Sequence, residues 1–374
     1  MSQRMVRQIQ RLCRIGFLSI CPHMVVTKGS QARARAGHLS KALRPKEGTS
    51  LPQRLWAYRH GFMPDELALY GLTGENIGQY VAGLPYRQKH PLNGLYSRLI
   101  DNKLFLPFDL GQWPDVTPGY YFLLQNNDIV PLSGAPACHQ GGKVSLEDLL
   151  DTCREKGEVV FKPVAGSGGR GVMRLLYRDG AWHMNGDRMS DSAVKAHLAT
   201  LQDYLVTECL QQHEYAAHIF PESVNTIRVL TMRDYTRGEQ FIACAVQRFG
   251  TMPSRPVDNW CSGGICCRVD LETGRLGRAV SKSHEKWHKE HPETNAPIEG
   301  VLVPHWTDVA NRIRAMADVL AFIPYMGWDI LITEEGFKVL EINSLSDLDL
   351  LQVHGPLLGD SRVREFYVRH GVLR

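Results

Sequence analysis

Residues 159–176 read VVFKPVAGSGGRGVMRLL, an apolar run with a lysine, then four glycines within six residues, then a second apolar run. So many glycines in so short a space cannot propagate a helix, and they free the backbone for positive φ and close approach. Gly166, Gly168 and Gly171 satisfy G-x-G-x-x-G, a pattern shared by several phosphate-binding loops. A dinucleotide site needs a helix to open at the last glycine. The segment here is VMRLLY ended by RDG, which reads as a strand and a turn. A Walker A loop needs Lys-Ser or Lys-Thr after the last glycine, and a kinase needs H-R-D and D-F-G; the chain has none of these. What remains is a strand, Lys162, a glycine flap over Gly166, Ser167, Gly168, Gly169 and Arg170, and a second strand. Backbone amides of such a flap suit phosphate oxygens, with Lys162 as a point charge.

If the flap holds ATP, something must carry magnesium. The segment GWDILITEEGFKVLEINS reads as a hairpin whose turn, TEEGF, centres on Glu335. That centre sets Asp329 directly opposite Glu341, with Asn343 on the same face. Two facing carboxylates repel by about 0.5 kcal/mol even when solvated, and by more among Trp328, Ile330, Leu340 and Ile342. A bound cation removes the conflict. Two carboxylates and an amide oxygen are hard donors, suited to magnesium and not to zinc. A second metal-like string, HEKWH at 284–288, matches H-E-x-x-H. Its surroundings, SKSHEKWHKEHPET, have hardly an apolar residue besides Trp287, so nothing buries a zinc helix there and a solvated charged segment is expected.

Around these two motifs the chain alternates helical and strand patterns. Residues 50–110 read mainly helical, YYFLLQ and DIVPL as strands, and SLEDLLDTCREKG as a helix capped by Ser145 and stopped by Gly157. A helix around SAVKAHLATL, the strands YLVTECL, TIRVLTMR, QFIACAVQRFG and GGICCRVD, and the helix TDVANRIRAMADVLAF follow. The class is α+β with antiparallel pairs dominating the second half. Residues 1–48 carry ten Lys or Arg against Glu47 alone, while the whole chain is only +4; the remainder is therefore about −5, and the body is no nucleic-acid binder by charge. The leader, with Arg4, Arg7, Arg11 and Arg14 at helical spacing, reads as a poorly ordered tail or a start codon placed too early, the alternative being contact with an anionic membrane surface or a transit-like role. No apolar run is long enough to span a bilayer. Nine cysteines without regular spacing suit a reducing, cytoplasmic setting, and Cys266 and Cys267 read as buried strand residues.

Taken in order, these motifs resemble the ATP-grasp superfamily of carboxylate-amine ligases over roughly residues 95–350. The likeness is to its sugar-transfer associated branch through NTIRVLTM, VDNWCSGGI, VDLETG, HPET and GWDILITEEGFKVLEINSL. The resemblance implies an ATP cleft between two α+β sub-domains with two magnesium ions on the β- and γ-phosphates. It implies Lys103 in DNKLF as a first nucleotide lysine and Lys162 as the second, Glu208, Cys209 and Leu210 as the adenine hinge, and Glu214 as the ribose contact. Asp329, Glu341 and Asn343 match its metal triad. Where many relatives place an arginine two residues before the metal aspartate, this chain has Gly327, so the cationic role at the transferring phosphate falls to Arg228, with Arg248.

The reaction implied is phosphorylation of a small-molecule carboxylate by ATP, then attack of an amine on the acylphosphate, with cell-surface polysaccharide or small-molecule biosynthesis as the expected setting. Asn259, Ser262 and the Gly263-Gly264 turn would offer donors to the acyl group or acceptor. Two rivals share the fold: a kinase that stops at a phosphorylated hydroxyl, and a non-catalytic ATP-binding module. The expected organisation is a basic leader over 1–48, an N-terminal region over 49–157, a small sub-domain with the flap over 158–207, and a C-terminal sub-domain with the hairpin over 208–374.

Overall fold

The computed structural model describes residues 48–136, 144–166, 168–282 and 286–374. Residues 1–47, and with them the expectations for the leader, lie outside the described residues. The described chain divides into two compact units, one ending at Leu92 and completed by Asp347–Arg374, the other running Asn93–Ser346.

The first unit holds short helices, α1 (Leu51–Arg59), α2 (Pro64–Leu69) and α3 (Gly83–Lys89). Ser50 opens α1 with a capping box closed by Gln53, the sequence device for starting a helix after a loop. Ala57, Phe62, Leu67, Tyr70, Leu72 and Ala82 form its core. Gln352, fully buried, binds Val81 through both backbone groups at 2.8 and 3.0 Å, which fastens the C-terminal segment onto this unit.

The second unit contains every candidate site residue. After α4 (Ser97–Ile100) and α5 (Leu106–Asp109) come β1 (Tyr120–Gln125), β2 (Asp128–Pro131), α6 (Leu146–Lys156), β3 (Glu158–Pro163), β4 (Met173–Arg178), β5 (Ala181–Met184), β6 (Asp187–Met189), α7 (Asp191–Leu198) and β7 (Tyr204–Glu208). These strands make one seven-stranded sheet in the order β2-β1-β7-β3-β4-β5-β6, with every neighbouring pair antiparallel. Leu149, Leu150 and Cys153 of α6 and Val194 and Leu198 of α7 pack on Phe122, Phe161, Leu175 and Val206. Ser145 caps α6 and Gly157 ends it at φ 76°, as the sequence pattern requires.

A second seven-stranded antiparallel sheet follows α8 (Glu214–Ile219). Its strands are β8 (Ile227–Asp234), β9 (Glu239–Phe249), β10 (Ile265–Val269), β11 (Leu276–Ser281), β12 (Trp287–His288), β13 (Tyr325–Thr333) and β14 (Gly336–Asn343), ordered β12-β11-β10-β9-β8-β13-β14. Helix α9 (Trp306–Val319) lays Val309, Ile313 and Met316 on this sheet's core face against Trp328, Ile330 and Ile342. Cys266 and Cys267 are fully buried in β10, as expected. The other face of the sheet carries Arg228, Arg248 and Asp329 beside buried apolar side chains such as Leu230 and Leu331. The fold is α+β throughout the unit, with all its named strand pairs antiparallel. The chain closes with α10 (Leu348–Gln352) and α11 (Ser361–Arg369).

Candidate active site

The glycine flap joins β3 to β4, which pair antiparallel from Glu158↔Leu176 to Phe161↔Met173. Gly166, Gly168, Gly169 and Gly171 have φ of 144°, 71°, 71° and 77°, a backbone path L-residues with a Cβ resist. Space excludes a side chain as well. A Cβ at Gly168 would stand 2.8 Å from Asn259 Nδ2, and one at Gly169 2.6 Å from Val257 Cγ1. Arg170 is exposed. Ser167 lies outside the described residues.

Lys162 is the penultimate residue of β3, its ammonium 5.1 Å from the ring centroid of Tyr120. Burial, with the positive charge of Lys103 beside it, pushes Lys162 down to about 8, against the pull of Glu341. Lys103 sits in a short 3-10 turn, Lys103–Phe105, that begins at Asn102, whose Oδ1 accepts from Leu104 N at 3.0 Å. Its carbonyl accepts from the Tyr120 hydroxyl at 2.9 Å. From there Lys103 Nζ donates to Gly166 O at 2.9 Å and pairs with Glu341 Oε2 at 3.0 Å. One ammonium thus joins the flap to the C-terminal hairpin.

In that hairpin Asp329 does face Glu341, though not by the route the sequence suggests. Thr333 pairs with Gly336, so the turn is Glu334-Glu335, and an unbroken ladder would set Asp329 against Leu340. A bulge moves the pairing: Ile330 faces Val339 and Asp329 faces Glu341. The bulge also keeps Phe337, Val339 and Ile342 on the core side while Glu341 and Asn343 share the other. Asn343 Nδ2 donates to Glu341 Oε1 at 3.2 Å. Beyond Asn343 the strand is pinned by Ser344, whose amide and hydroxyl both donate to Asp101 at 2.7 Å.

The expected conflict between the two carboxylates is met by the protein's own cations. Arg228, opposite Asp329 on β8, donates to it through Nε and through Nη2, the latter at 3.0 Å. Arg248 Nη2 adds a contact to Asp329 Oδ2 at 3.2 Å. Burial opposes ionisation of Asp329, but the two guanidiniums outweigh it and hold its carboxyl below the usual carboxylate range. Arg248 is itself seated by Asp258, 3.3 Å from Nε, and by the Thr226 hydroxyl. Burial opposes the charge on Arg248 too, and Asp258 and Asp329 more than restore it. Gly327 fits this arrangement: a Cβ there would fall 2.0 Å from Ser346 Oγ and 3.5 Å from Arg228 Cδ. The site has no room for an arginine at 327 and takes its guanidiniums from β8 and β9.

Glu208 ends β7 and Cys209 and Leu210 follow it, all partly buried. Glu208 is bound at both ends of one residue, Oε2 accepting from Gly119 N at 2.9 Å and its amide donating to Gly119 O at 2.8 Å. Burial, with Glu158 nearby, pushes the Cys209 thiol up to about 12, which leaves it neutral and apolar in character. Glu214 starts α8, its amide donating to Glu334 Oε1 at 2.8 Å while its own carboxylate is exposed and, among the described residues, without a partner.

The loop from Asn259 to Gly264 uses its amides internally. Cys261 N donates to Asn259 Oδ1, Ser262 N and Gly264 N to Asn259 O, and Gly263 N to Trp260 O. The loop presents outward the side chains of Cys261 and Ser262, both exposed. Asn259 Nδ2 is engaged as well, donating to Gly168 O at 3.1 Å.

Among the described residues no three His, Cys, Asp or Glu side chains gather to hold a metal. The donor set at the hairpin is instead Glu341, Asp329 and the Asn343 amide, oxygen donors that fit a hard cation completed by phosphate oxygens and water. In HEKWH, His284 and Glu285 lie outside the described residues, while Trp287 and His288 form an edge strand against β11, not the helix a zinc motif requires. Among the described residues no helix is long and apolar enough to cross a membrane. Sequence reasoning missed Thr226 and Asp258, because what identifies them is a cross-sheet contact that leaves no spacing signal.

The profile of the sugar-transfer associated ATP-grasp family matches residues 130–361. Among solved structures, the chain is similar to the ATP-grasp ligase PsnB complexed with minimal precursor, Mg and ADP, at 13% identity and a TM-score of 0.39, covering 75% of this chain and 62% of PsnB. It is similar to D-alanine–D-alanine ligase from Bacillus anthracis at 13% identity and a TM-score of 0.36, covering 72% and 68%. N5-carboxyaminoimidazole ribonucleotide synthetase purK, in its ADP complex, follows at 11% identity and 0.36, covering 67% and 46%. The chain thus spans less than two thirds of the length of PsnB. No curated protein matches it.

Proposed function

The chain belongs to the sugar-transfer associated ATP-grasp family, and from that premise we propose that it is a magnesium-dependent ligase that activates a small-molecule carboxylate with ATP and joins it to an amine. The observation that carries this reading is the double contact of Lys103, 2.9 Å from the flap carbonyl of Gly166 and 3.0 Å from Glu341. It brings the flap and the hairpin, 175 residues apart in sequence by Gly166 and Glu341, to one ammonium.

In this reading the triphosphate lies between flap and hairpin. Lys103 and Lys162 neutralise its oxygens, Glu208, Cys209 and Leu210 offer backbone groups to the adenine edge, and the unpaired Glu214 carboxylate takes the ribose hydroxyls. Glu341, Asn343 and Asp329 would hold the magnesium, two ions in the fullest form, which screens the phosphate charges and withdraws electrons from the phosphorus. A carboxylate oxygen of the substrate attacks the γ-phosphorus and the bond to ADP breaks. The amine nitrogen then attacks the acyl carbon, the bond to phosphate breaks, and the nitrogen loses a proton. Arg228 and Arg248, preorganised beside Asp329, stabilise charge on the transferring phosphoryl group. Ser262 on the loop before β10 faces the acceptor.

The test is incubation with ATP, magnesium and a panel of amino acids and carboxylates, following phosphate release and product mass. ADP, free phosphate and an amide are expected. A stable phosphoester would replace this reading with a kinase, and no turnover across the panel with ATP bound would replace it with a binding module.

A further inference from the structure

Among the described residues two side chains donate hydrogen bonds to the glycine flap. Lys103 binds the carbonyl of Gly166, and Asn259 Nδ2 binds the carbonyl of Gly168 at 3.1 Å. Lys103 is accounted for by phosphate and carboxylate chemistry. Asn259 is not: both ends of its amide are engaged within the protein, Oδ1 accepting from Cys261 N at 2.9 Å, and one Nδ2 hydrogen remains for an acyl group.

Its position is set from below. The preceding residue, Asp258, is 6% exposed and accepts through Oδ2 from Thr226 N at 2.7 Å and Thr226 Oγ1 at 2.6 Å. The same carboxylate seats Arg248, and Arg248 reaches Asp329. A short chain of polar contacts therefore runs from Asp329 through Arg248 to Asp258, passes along the backbone to Asn259, and ends on the flap. The neighbouring contact is steric: a Cβ at Gly169 would meet Val257, two residues before Asn259. The flap rests on the loop 257–259 by shape and is fastened to it by one hydrogen bond.

We propose that Asn259 is a positioning residue, a latch that holds the glycine flap down and ties its closed position to the Asp329 centre. The inference rests on the reading of the flap as a phosphate cover. Its consequence is that the loop carrying the outward Ser262 and the flap move together, so occupancy of one biases the other.

Asn259→Asp separates the latch from the cap. It is nearly isosteric, keeps an oxygen for Cys261 N, and sets an acceptor against Gly168 O where a donor stood. Trypsin cleavage at Arg170 of the full chain reports the open population of the flap. Without nucleotide, Asn259→Asp is expected to raise the cleavage rate at Arg170 roughly threefold to tenfold with an unchanged rate at other sites, and Asn259→Gln, which keeps the donor, to recover part of the difference. KM for ATP is expected to rise more than kcat falls. Cleavage of Asn259→Asp at the wild-type rate overturns the latch, as does acceleration seen only in Asn259→Ala, which would assign Asn259 to the cap alone. The functional reading fails differently: ATP analogue with magnesium would leave Arg170 of the wild-type chain unprotected, whatever the variants do.

Discussion

The two strands of the hairpin carry facing carboxylates in unlike surroundings. Asp329 on β13 is 4% exposed and gripped by Arg228 and Arg248. Glu341 on β14 is partly open, its side chain 21% exposed, and meets one ammonium and one amide. The difference assigns them different work. Asp329 neutralises Arg228, which burial would otherwise strand, and shares Arg248 with Asp258, so its charge is structural before it is catalytic. Glu341 shares its charge with the Lys103 ammonium, which in the proposed reaction turns to phosphate and leaves the carboxylate to a metal.

The largest expected effect tests that contrast directly. Asp329→Asn should cost about 3–5 kcal/mol of stability, because buried Arg228 loses its counterion and Arg248 is left with Asp258 alone, whereas Glu341→Gln should cost no more than about 1 kcal/mol. Urea denaturation of both variants without nucleotide measures it, and equal losses would abolish the distinction. From the sequence alone the opposite sign is expected for Asp329, since removing one of two crowded carboxylates should relieve repulsion. The guanidiniums reverse it.

Next in size, Glu341→Gln should lower magnesium-dependent ATP turnover by about 100-fold or more, in line with the loss of an electrostatic contact to the reacting centre, while circular dichroism stays that of the wild type. Turnover within a few-fold of wild type would show that Glu341 is not the more available carboxylate.

Lys103→Met should weaken binding of an ATP analogue by about 1.5–3 kcal/mol for the lost charge-assisted contacts. It should also raise trypsin cleavage at Arg170, since Gly166 O loses its donor. Calorimetry and digestion of one protein check both, and tight binding with a loosened flap would confine Lys103 to holding the loop.

The smallest effect concerns pH. Lys162 has a folded value of about 8, below the ordinary 10.5, so between those values the unfolded chain binds more protons and stability should rise with pH. Phosphate favours the charged lysine, so affinity for the ATP analogue should fall as pH climbs through about 8. Lys162→Met should flatten both profiles. Unchanged profiles in the variant would mean that another group titrates there.

The flap was legible from sequence because its signal is local: positive φ at four glycines is written in the glycines themselves. The hairpin was legible in part. Alternation placed Asp329 and Glu341 on one face, but the turn lies half a residue from the centre assumed and the bulge makes up the difference, and no local pattern marks a bulge at Leu340. Strands β5 and β6 were passed over despite a usable signal, since Asp179-Gly180 and Asn185-Gly186 have positive φ at both residues, the tight-hairpin pairs. The grip of Arg228 and Arg248 on Asp329 joins residues 101 and 81 apart, and only the strand order β9-β8-β13 brings them together. Lys103 came from its resemblance to a family position, with nothing in its own neighbourhood to single it out.

The bulge in β14 carries one residue that strand pairing does not need. Removing Leu340 would leave Ile330 against Val339 and Asp329 against Glu341, with the same side chains inside and out. Leu340 therefore contributes aim: an extra residue bends and twists the strand locally, and it swings the end bearing Glu341 and Asn343 through an angle that a regular ladder would not give. A chain shortened by that one leucine should keep its architecture and its complement of ligands while pointing them in the wrong direction. Selection on such a site would act on chain length as strictly as on residue type.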